Sequence, residues 1–122
     1  MAQLTVCRFV IDVSEDSSVS NEQDVRQFRV KAIQMPTAWT AADIGFYSRP
    51  GLAAGDPGNE TSQLAFVIQA VVATYRVLTI EEQAMAEGCA FLTLRSLDSA
   101  SLPDPEAQLA DRLLIAVVEP RH

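Results

Sequence analysis

Met35–Ser48, with the sequence MPTAWTAADIGFYS, decides the fold of this chain. It contains the only tryptophan, Trp39, shortly after Pro36, and it then alternates the apolar residues Ile44 and Phe46 with a glycine and a tyrosine. A large aromatic residue between a proline and an alternating segment is typical of a corner where the chain leaves one strand and starts the next. The stretch therefore predicts a corner of a β-sandwich, with Trp39 as a packing anchor.

Short segments of β-branched, apolar or alternating residues occur on both sides of this corner and have the pattern of strands. Together with the strand of the corner, they are Leu4–Ile11, Phe28–Ala32, Asp43–Arg49, Leu64–Ile68, Tyr75–Ile80, Phe91–Ser96 and Arg112–Val118, the last expected to stop before Pro120. About seven short strands without crossover helices are typical of an antiparallel β-sandwich or a small barrel. We predict an all-β, jelly-roll-like antiparallel sandwich with one short helix, in a single domain over residues 1–122.

Two polar connections interrupt these strands. Ser14–Asp24 is acidic and serine-rich without apolar periodicity, which predicts an exposed loop. Arg49–Ser62 contains two Pro-Gly pairs, which predict successive turns. Neither segment has the composition of a core element.

Helical signals are confined to two places. Thr79 and Glu82 have the spacing of a capping box, and Gly88 stands where a helix would end, so we expect one or two helical turns between them. Asp104 precedes Pro105 and has the form of a cap for one further turn.

Composition and charge limit the partners of the chain. Sixteen acidic against nine basic residues give a net charge of −7 over 122 residues, and such a field repels a nucleic-acid backbone. No apolar run is long enough for a membrane span, and the N-terminus lacks the pattern of a secretory signal. We therefore expect no nucleic acid or membrane partner, and synthesis in a cytoplasm. The arginines in predicted strands either pair with carboxylates or lie on a solvated sheet face: Arg8, Arg29, Arg76 and Arg95.

The residues needed for nucleophilic or metal chemistry are sparse. The only histidine, His122, is the last residue, a position that is rarely ordered enough for catalysis. Cys7 and Cys89 are far apart and outside any metal-ligand spacing. We expect two small hydrophobic residues in a reducing compartment, with a bridge only if their strands meet.

Carboxylates offer two weaker alternatives. Glu81 and Glu82 are adjacent at a predicted helix start, where capping and the helix dipole explain them more simply than a catalytic pair. The acidic Ser14–Asp24 loop lacks the regular ligand spacing of a calcium loop, although its oxygens leave calcium as an alternative. We predict no catalytic, cofactor-binding or metal-binding residues and no enzymatic activity.

A carbohydrate-binding β-sandwich is the alternative function. Such modules present a flat aromatic platform, and the available residues are Trp39, Tyr47 and Tyr75. A single tryptophan in a small domain is more often packed in a core or corner than exposed on a platform. Exposure of Trp39 or of the tyrosines would favour this alternative.

Three segments together resemble small β-sandwich structural proteins of tailed-bacteriophage heads: MPTAWTAADIGFYS, YRVLTIEEQAMAEGCAFLTLRS and LADRLLIAVVEP. The resemblance covers about the C-terminal two thirds of the chain. It implies a capsid cement or decoration protein that binds the major capsid protein on the outer surface of the virion and associates with itself as a dimer or trimer. The resemblance carries no catalytic residues with it.

The two terminal strands suggest how such self-association arises. Leu4–Ile11 and Arg112–Val118 have apolar residues on both faces and lie near the chain ends. Strands of this kind pair across a protomer boundary as readily as within a chain. We therefore expect that an N-terminal strand or arm over residues 1–12 is exchanged between protomers.

Overall fold

Eight strands and one helix form the described part of the chain, residues 5–49 and 62–121 of a computed structural model. The predicted turns between Arg49 and Ser62 lie outside the described residues, as do Leu4 and His122. The elements are β1 (Thr5–Ile11), β2 (Gln23–Asp24), β3 (Phe28–Gln34), β4 (Asp43–Arg49), β5 (Gln63–Ile68), β6 (Tyr75–Val77), α1 (Ile80–Glu87), β7 (Phe91–Leu97) and β8 (Arg112–Pro120).

The strands form two four-stranded sheets. The first sheet has the order β1-β8-β3-β6, and the second sheet has the order β2-β7-β4-β5. Every strand pair is antiparallel, and only β4 and β5 are consecutive strands within one sheet. Eight strands that alternate in this way between two sheets form a jelly roll. The prediction of an all-β, jelly-roll-like sandwich with one short helix is confirmed, with eight strands in place of about seven.

The core lies between the two sheets and consists of the inward side chains of both. Phe9 on β1 and Leu114 on β8 are fully buried from the first sheet, and Phe46 on β4 is fully buried from the second. The ring of Phe46 stacks on that of Phe66, with 4.4 Å between the centroids. Alternate residues of each strand thus supply the core, as the period of a strand requires.

The Trp39 corner connects the two sheets, because β3 belongs to the first sheet and β4 to the second. Trp39 is half-buried against the core, and its Nε1 donates a hydrogen bond to the carbonyl oxygen of Ala42 at 3.2 Å. The prediction of a corner with Trp39 as a packing anchor is confirmed.

The predicted helix is present, and it begins with the predicted capping box. The Thr79 hydroxyl accepts a hydrogen bond from the Glu82 amide at 3.1 Å, and the Glu82 carboxylate accepts one from the Thr79 amide at 2.8 Å. The helix ends at Glu87, before Gly88. This cap also corrects the predicted strand Tyr75–Ile80, because Ile80 is the first helical residue.

Four strands extend beyond the alternating residues that predicted them. Gln63 is added to β5 and Leu97 to β7. The strand predicted from Phe28–Ala32 continues to Gln34, before Pro36 as expected, after a register shift between Val30 and Ala32. The last strand runs through Pro120, which was expected to stop it. A proline lacks only the amide donor and fits at a strand end.

The predictions for two connections are wrong in part. Ser14–Asp24 contains β2, and its Ser20 is buried, with a hydroxyl that accepts a hydrogen bond from the Leu94 amide at 2.9 Å. No helical turn begins at Pro105. Asp104 instead accepts a hydrogen bond from the Ser101 hydroxyl at 2.8 Å, and the backbone turns before Pro105.

Candidate interaction surface

The outward side of the first sheet, here called the outer face, is the candidate functional surface. On β1, Phe9 and Ile11 point into the core. Side chains alternate along a strand, so Val6, Arg8 and Val10 point outward. On β8, alternation with the core residues places three apolar residues on the same side: Leu113, Ile115 and Val117. The terminal strands are therefore apolar on both sides.

The pairing register aligns these side chains in two rows across all four strands and in a third row across β1 and β8. One row contains Val6, Val117, Ala32 and Val77. The next row contains Arg8, Ile115, Gln34 and Tyr75. A third row pairs Val10 with Leu113. Seven of these ten positions are aliphatic and one is aromatic.

Several of these apolar side chains are open to solvent. Val77 and Tyr75 on β6 are 58% and 52% exposed, and Val6, Leu113 and Val10 are 43%, 41% and 40% exposed. The solvent side of an antiparallel sheet is usually polar, which gives a strand an alternation of apolar and polar residues. Between them, Ile115 and Val117 are half-buried. Exposed apolar residues grouped on one sheet face indicate an interaction site.

Charged residues lie at one end of the outer face and at one position within it. At the end, Glu119 on β8 is 3.5 Å from Lys31 Nζ and 3.9 Å from Arg29 Nη1 on β3. Within the face, Arg8 is exposed, and its guanidinium forms no ion pair with any residue that the structure describes. The surface therefore combines apolar rows with an unmatched positive charge and a mixed charge cluster.

The free edge of β1 is partly covered by two polar side chains. Asn21 Oδ1 accepts a hydrogen bond from the Val10 amide at 2.6 Å, and Gln23 Nε2 donates one to the Arg8 carbonyl oxygen at 2.9 Å. These bonds satisfy backbone groups that would otherwise be available to another strand. Within this chain β1 pairs with β8 over its full length. Exchange of residues 1–12 between protomers stays a prediction.

The outward side of the second sheet is different in character. Phe91 on β7 lies between two guanidinium groups, with 4.7 Å from its ring centroid to Arg26 and 4.4 Å to Arg49. Arg49 also forms an ion pair with Glu22 at 2.6 Å. Arg95 lies 4.0 Å above the ring of Tyr47. Cation–π contacts and ion pairs thus occupy this side within the chain itself.

The four strand arginines have different partners. Arg29 and Arg76 pair with carboxylates, those of Glu87 at 2.9 Å and Glu82 at 2.8 Å, as the carboxylate alternative predicts. Arg95 stacks on an aromatic ring, and Arg8 is solvated. Both of the alternatives left open for these residues are therefore found.

The structure does not bring the three aromatic residues of a sugar platform together. Trp39 is half-buried at the corner and Tyr47 is buried beneath an arginine on the second sheet. Tyr75 is exposed on the outer face of the first sheet. Tyr47 and Tyr75 therefore belong to different sheets, and only Tyr75 presents much of its surface to solvent.

The candidate carboxylates have structural partners. Glu82 accepts hydrogen bonds from Arg76 at 2.8 and 2.9 Å, and chiefly for this reason its pKa lies below the ordinary value. Glu81 is exposed in the first helical turn. Glu82 therefore caps the helix and Glu81 lies in its first turn, where an acid suits the helix dipole, as expected from sequence.

The acidic segment after β1 lines a cavity of about 320 Å³ together with apolar and polar neighbours. The Asp12 carboxylate accepts hydrogen bonds from the amide and hydroxyl of Ser14, which lower its pKa, and Asp16 accepts two from Ser18. No group of three metal-ligating residues occurs within residues 5–49 and 62–121. These carboxylates instead stabilise local turns.

Both described cysteines are free thiols. Cys89 is buried and Cys7 is half-buried, and burial raises the pKa of each thiol. The expectation that they act as small hydrophobic residues agrees with their contacts, since both contribute to the core or pack against it. No described helix has the length and apolar character needed to cross a bilayer.

Sequence reasoning identified part of this surface and missed the rest. Apolar residues on both faces of the terminal strands gave the signal for β1 and β8. The contribution of Tyr75 and Val77 was missed, because their strand was grouped with the start of the helix. Their alternation around the inward Arg76 was the available signal.

Comparisons with protein-family models, with curated proteins and with solved structures find no match to this chain.

Proposed function

We propose that this protein is a structural interaction protein of a virion, which binds the outer surface of a tailed-phage capsid as a cement or decoration protein. The observation that carries the proposal is the outer face of the first sheet, where Val6, Val10, Leu113, Tyr75 and Val77 are all at least 40% exposed. An antiparallel sheet that keeps apolar residues on its solvent side gains stability when that side is covered.

The fold and the composition support a structural role. Jelly rolls are used by viral capsid and lectin domains, although a fold alone does not determine a function. The net charge of −7 disfavours nucleic acid as the partner. The carboxylates and thiols considered as site candidates serve turns, the helix cap and the core. The exposed outer face therefore supports interaction best.

The three segments that resemble phage head proteins map onto this architecture in a consistent way. The first forms the corner between the sheets and β4, the second contains β6, α1 and β7, and the third contains β8. The second and third segments therefore contribute to the outer face through β6 and β8. Carbohydrate binding is the alternative, and its aromatic residues are divided between the two sheets.

The test uses shells assembled from the major capsid protein of the genome that encodes this chain. Purified protein is mixed with the shells and sedimented, and we expect saturable binding at a fixed ratio to shell subunits. Val77→Lys introduces a charge into the outer face and is expected to weaken binding about tenfold or more. Leu109→Lys is the matched control, since Leu109 is 84% exposed and lies before β8, outside the rows of the outer face.

Two outcomes would contradict the proposal. Protein that stays in the supernatant with intact shells is not a decoration protein of that capsid. Binding to an immobilised glycan that depends on Tyr75, without binding to shells, would establish the carbohydrate alternative. Circular dichroism of both lysine variants checks that the sheet content is unchanged.

A further inference from the structure

We propose that the outer face binds a second copy of this chain, in a symmetric dimer whose two-fold axis runs parallel to the strands. This inference rests on the proposed role as an interaction protein and assigns the outer face to self-association, so that the dimer meets the capsid with its remaining surface. Val77→Lys then weakens shell binding by weakening the dimer. Two sheets that pack face to face keep their strands within about 30° of each other and interdigitate their side chains. A two-fold axis makes each half of the contact identical.

The direction of the axis follows from the charges on the face. An axis parallel to the strands places β1 against the partner's β6, and β8 against the partner's β3, because the strand order is β1-β8-β3-β6. An in-plane axis perpendicular to the strands would place β1 against the partner's β1. That arrangement would bring the two Arg8 guanidinium groups together in an apolar contact, at a large electrostatic cost.

The axis parallel to the strands gives Arg8 a favourable partner. Arg8 and Tyr75 lie at opposite ends of the same row, so each Arg8 faces the partner's Tyr75. Tyr75 is the exposed aromatic ring of the outer face. A guanidinium over such a ring forms a cation–π contact, and the contact is stronger when it is shielded from water.

The charge cluster at the end of the face is also complementary under this symmetry. Glu119 lies on β8, and Arg29 and Lys31 lie on β3, the strand that faces the partner's β8. Each Glu119 therefore meets the basic residues of the other copy in addition to its own. With Glu87, which pairs with Arg29 within each copy, the two copies together form a network of four acids and four bases at one end of the contact.

An apolar row lies between these charged positions. The row of Val6, Val117, Ala32 and Val77 is reversed in the partner, so Val6 meets the partner's Val77. Ala32 is fully buried within its own chain, so the middle of this row presents only the half-buried Val117. Covering the exposed valines at the two ends removes apolar surface from water.

The face is small for an interface. Its strands have 7, 9, 7 and 3 residues, which at about 3.4 Å per residue and about 4.8 Å between strands give roughly 420 Å² per copy. The pair covers roughly 800 Å², which lies below the area of standard stable complexes. We therefore expect a weak, dissociable dimer, to be sought at micromolar concentrations because area alone does not set the Kd.

Sedimentation velocity measured from well below to well above about 10 μM tests the association. We expect the mass to rise from monomer to dimer for the unmodified chain and for the Leu109→Lys control. Val77→Lys and Val6→Lys are each expected to weaken the dimer about tenfold or more. A chain that stays monomeric across this range, or folded lysine variants that dimerise as well as the control, would overturn the inference.

Cross-linking tests the direction of the axis. In a background with both native cysteines replaced by alanine, Arg8→Cys and Tyr75→Cys are prepared as separate proteins. Each is treated, alone and as a mixture, with a bifunctional maleimide whose reach of about 10 Å matches the spacing of two packed sheets. We expect a cross-linked dimer in the mixture and none from either protein alone. A dimer formed by Arg8→Cys alone would overturn the proposed axis.

The two proposals fail in different ways. A monomer that still binds capsid shells retains the proposed function and refutes the dimer. A dimer that ignores shells retains the dimer and refutes the proposed function. Both assays use the same purified full chain, so that their results can be compared directly.

Discussion

Gln108 fixes the corner that defines this fold, and its replacement by alanine is the most informative test of the architecture. The side chain is 3% exposed, and its amide forms four hydrogen bonds, two at the acceptor oxygen and two from the donor nitrogen. Its Oε1 accepts hydrogen bonds from the Thr40 amide at 2.8 Å and from Arg112 Nε at 3.1 Å. Its Nε2 donates to the Thr40 carbonyl oxygen at 3.0 Å and to the Ser96 hydroxyl at 2.8 Å. One side chain thus ties the corner to β7 and β8.

The expected cost follows from these four bonds. Each is worth about 1 kcal/mol in net stability, and a buried partner that is left unsatisfied costs more. Ser96 is fully buried, whereas Thr40 is half-buried and can recruit water. Gln108→Ala should therefore lower the free energy of unfolding by about 3 kcal/mol, and the Tm by about 10 °C. Ser96→Ala removes one of the four bonds and should cost about 1 kcal/mol.

Urea denaturation followed by the fluorescence of Trp39 measures this effect, because Trp39 is adjacent to Thr40 and is the only tryptophan. Gln27→Ala, which truncates an exposed glutamine, is the matched control and should change stability by less than about 0.5 kcal/mol. A loss of less than about 1 kcal/mol for Gln108→Ala would refute the argument that this network fixes the corner.

Three further predictions concern the cap, the second sheet and the free edge. A hydrogen bond from Arg76 lowers the pKa of Glu82 from 4.5. The ionised Glu82 therefore stabilises the fold above pH 4.5, and this contribution is lost as the pH falls through the lower folded-state pKa. Glu82→Gln should flatten the fall in unfolding free energy measured by urea denaturation in that acidic range. Gly45→Ala places a Cβ 2.6 and 2.8 Å from two side chains and should cost about 1–3 kcal/mol in the same assay, whereas Gly88→Ala, with its nearest contact at 3.4 Å, should cost less. Replacing Asn21 and Gln23 together by alanine exposes the β1 edge and should increase thioflavin-positive aggregation, and unchanged aggregation would argue against edge protection.

Elements with strong local signals could be predicted from the sequence with correct bounds. The strand Asp43–Arg49 was predicted residue for residue, because a polar start and regular alternation define it locally. The helix was predicted from Thr79, Glu82 and Gly88, which lie within ten residues of one another and act through local hydrogen bonds. Such signals need no knowledge of distant parts of the chain.

Features that depend on distant partners could not be predicted in this way. Gln108 and Thr40 are 68 residues apart, and nothing near either residue indicates the bond between them. Ser20 looks like a residue of a polar loop, yet its burial follows from bonds to Leu94 on β7. The extension of β8 through Pro120 is likewise decided by the neighbouring strand, since Phe28 pairs with it. Tertiary pairing overrides local propensity at these positions.

The two outward sides of the sandwich explain why only one is a candidate surface. On the second sheet, Phe91 and Tyr47 are covered by guanidinium groups of the same chain, so that their aromatic surface already has a partner. On the first sheet, the apolar rows around Val6 and Val77 are exposed, and Arg8 lacks an ion-pair partner among the described residues. One binding event can cover the apolar side chains and place a partner beside the Arg8 charge. A second copy of the chain supplies both an aromatic ring for Arg8 and apolar rows for the rest of the face. This favours self-association over separate partners for each feature.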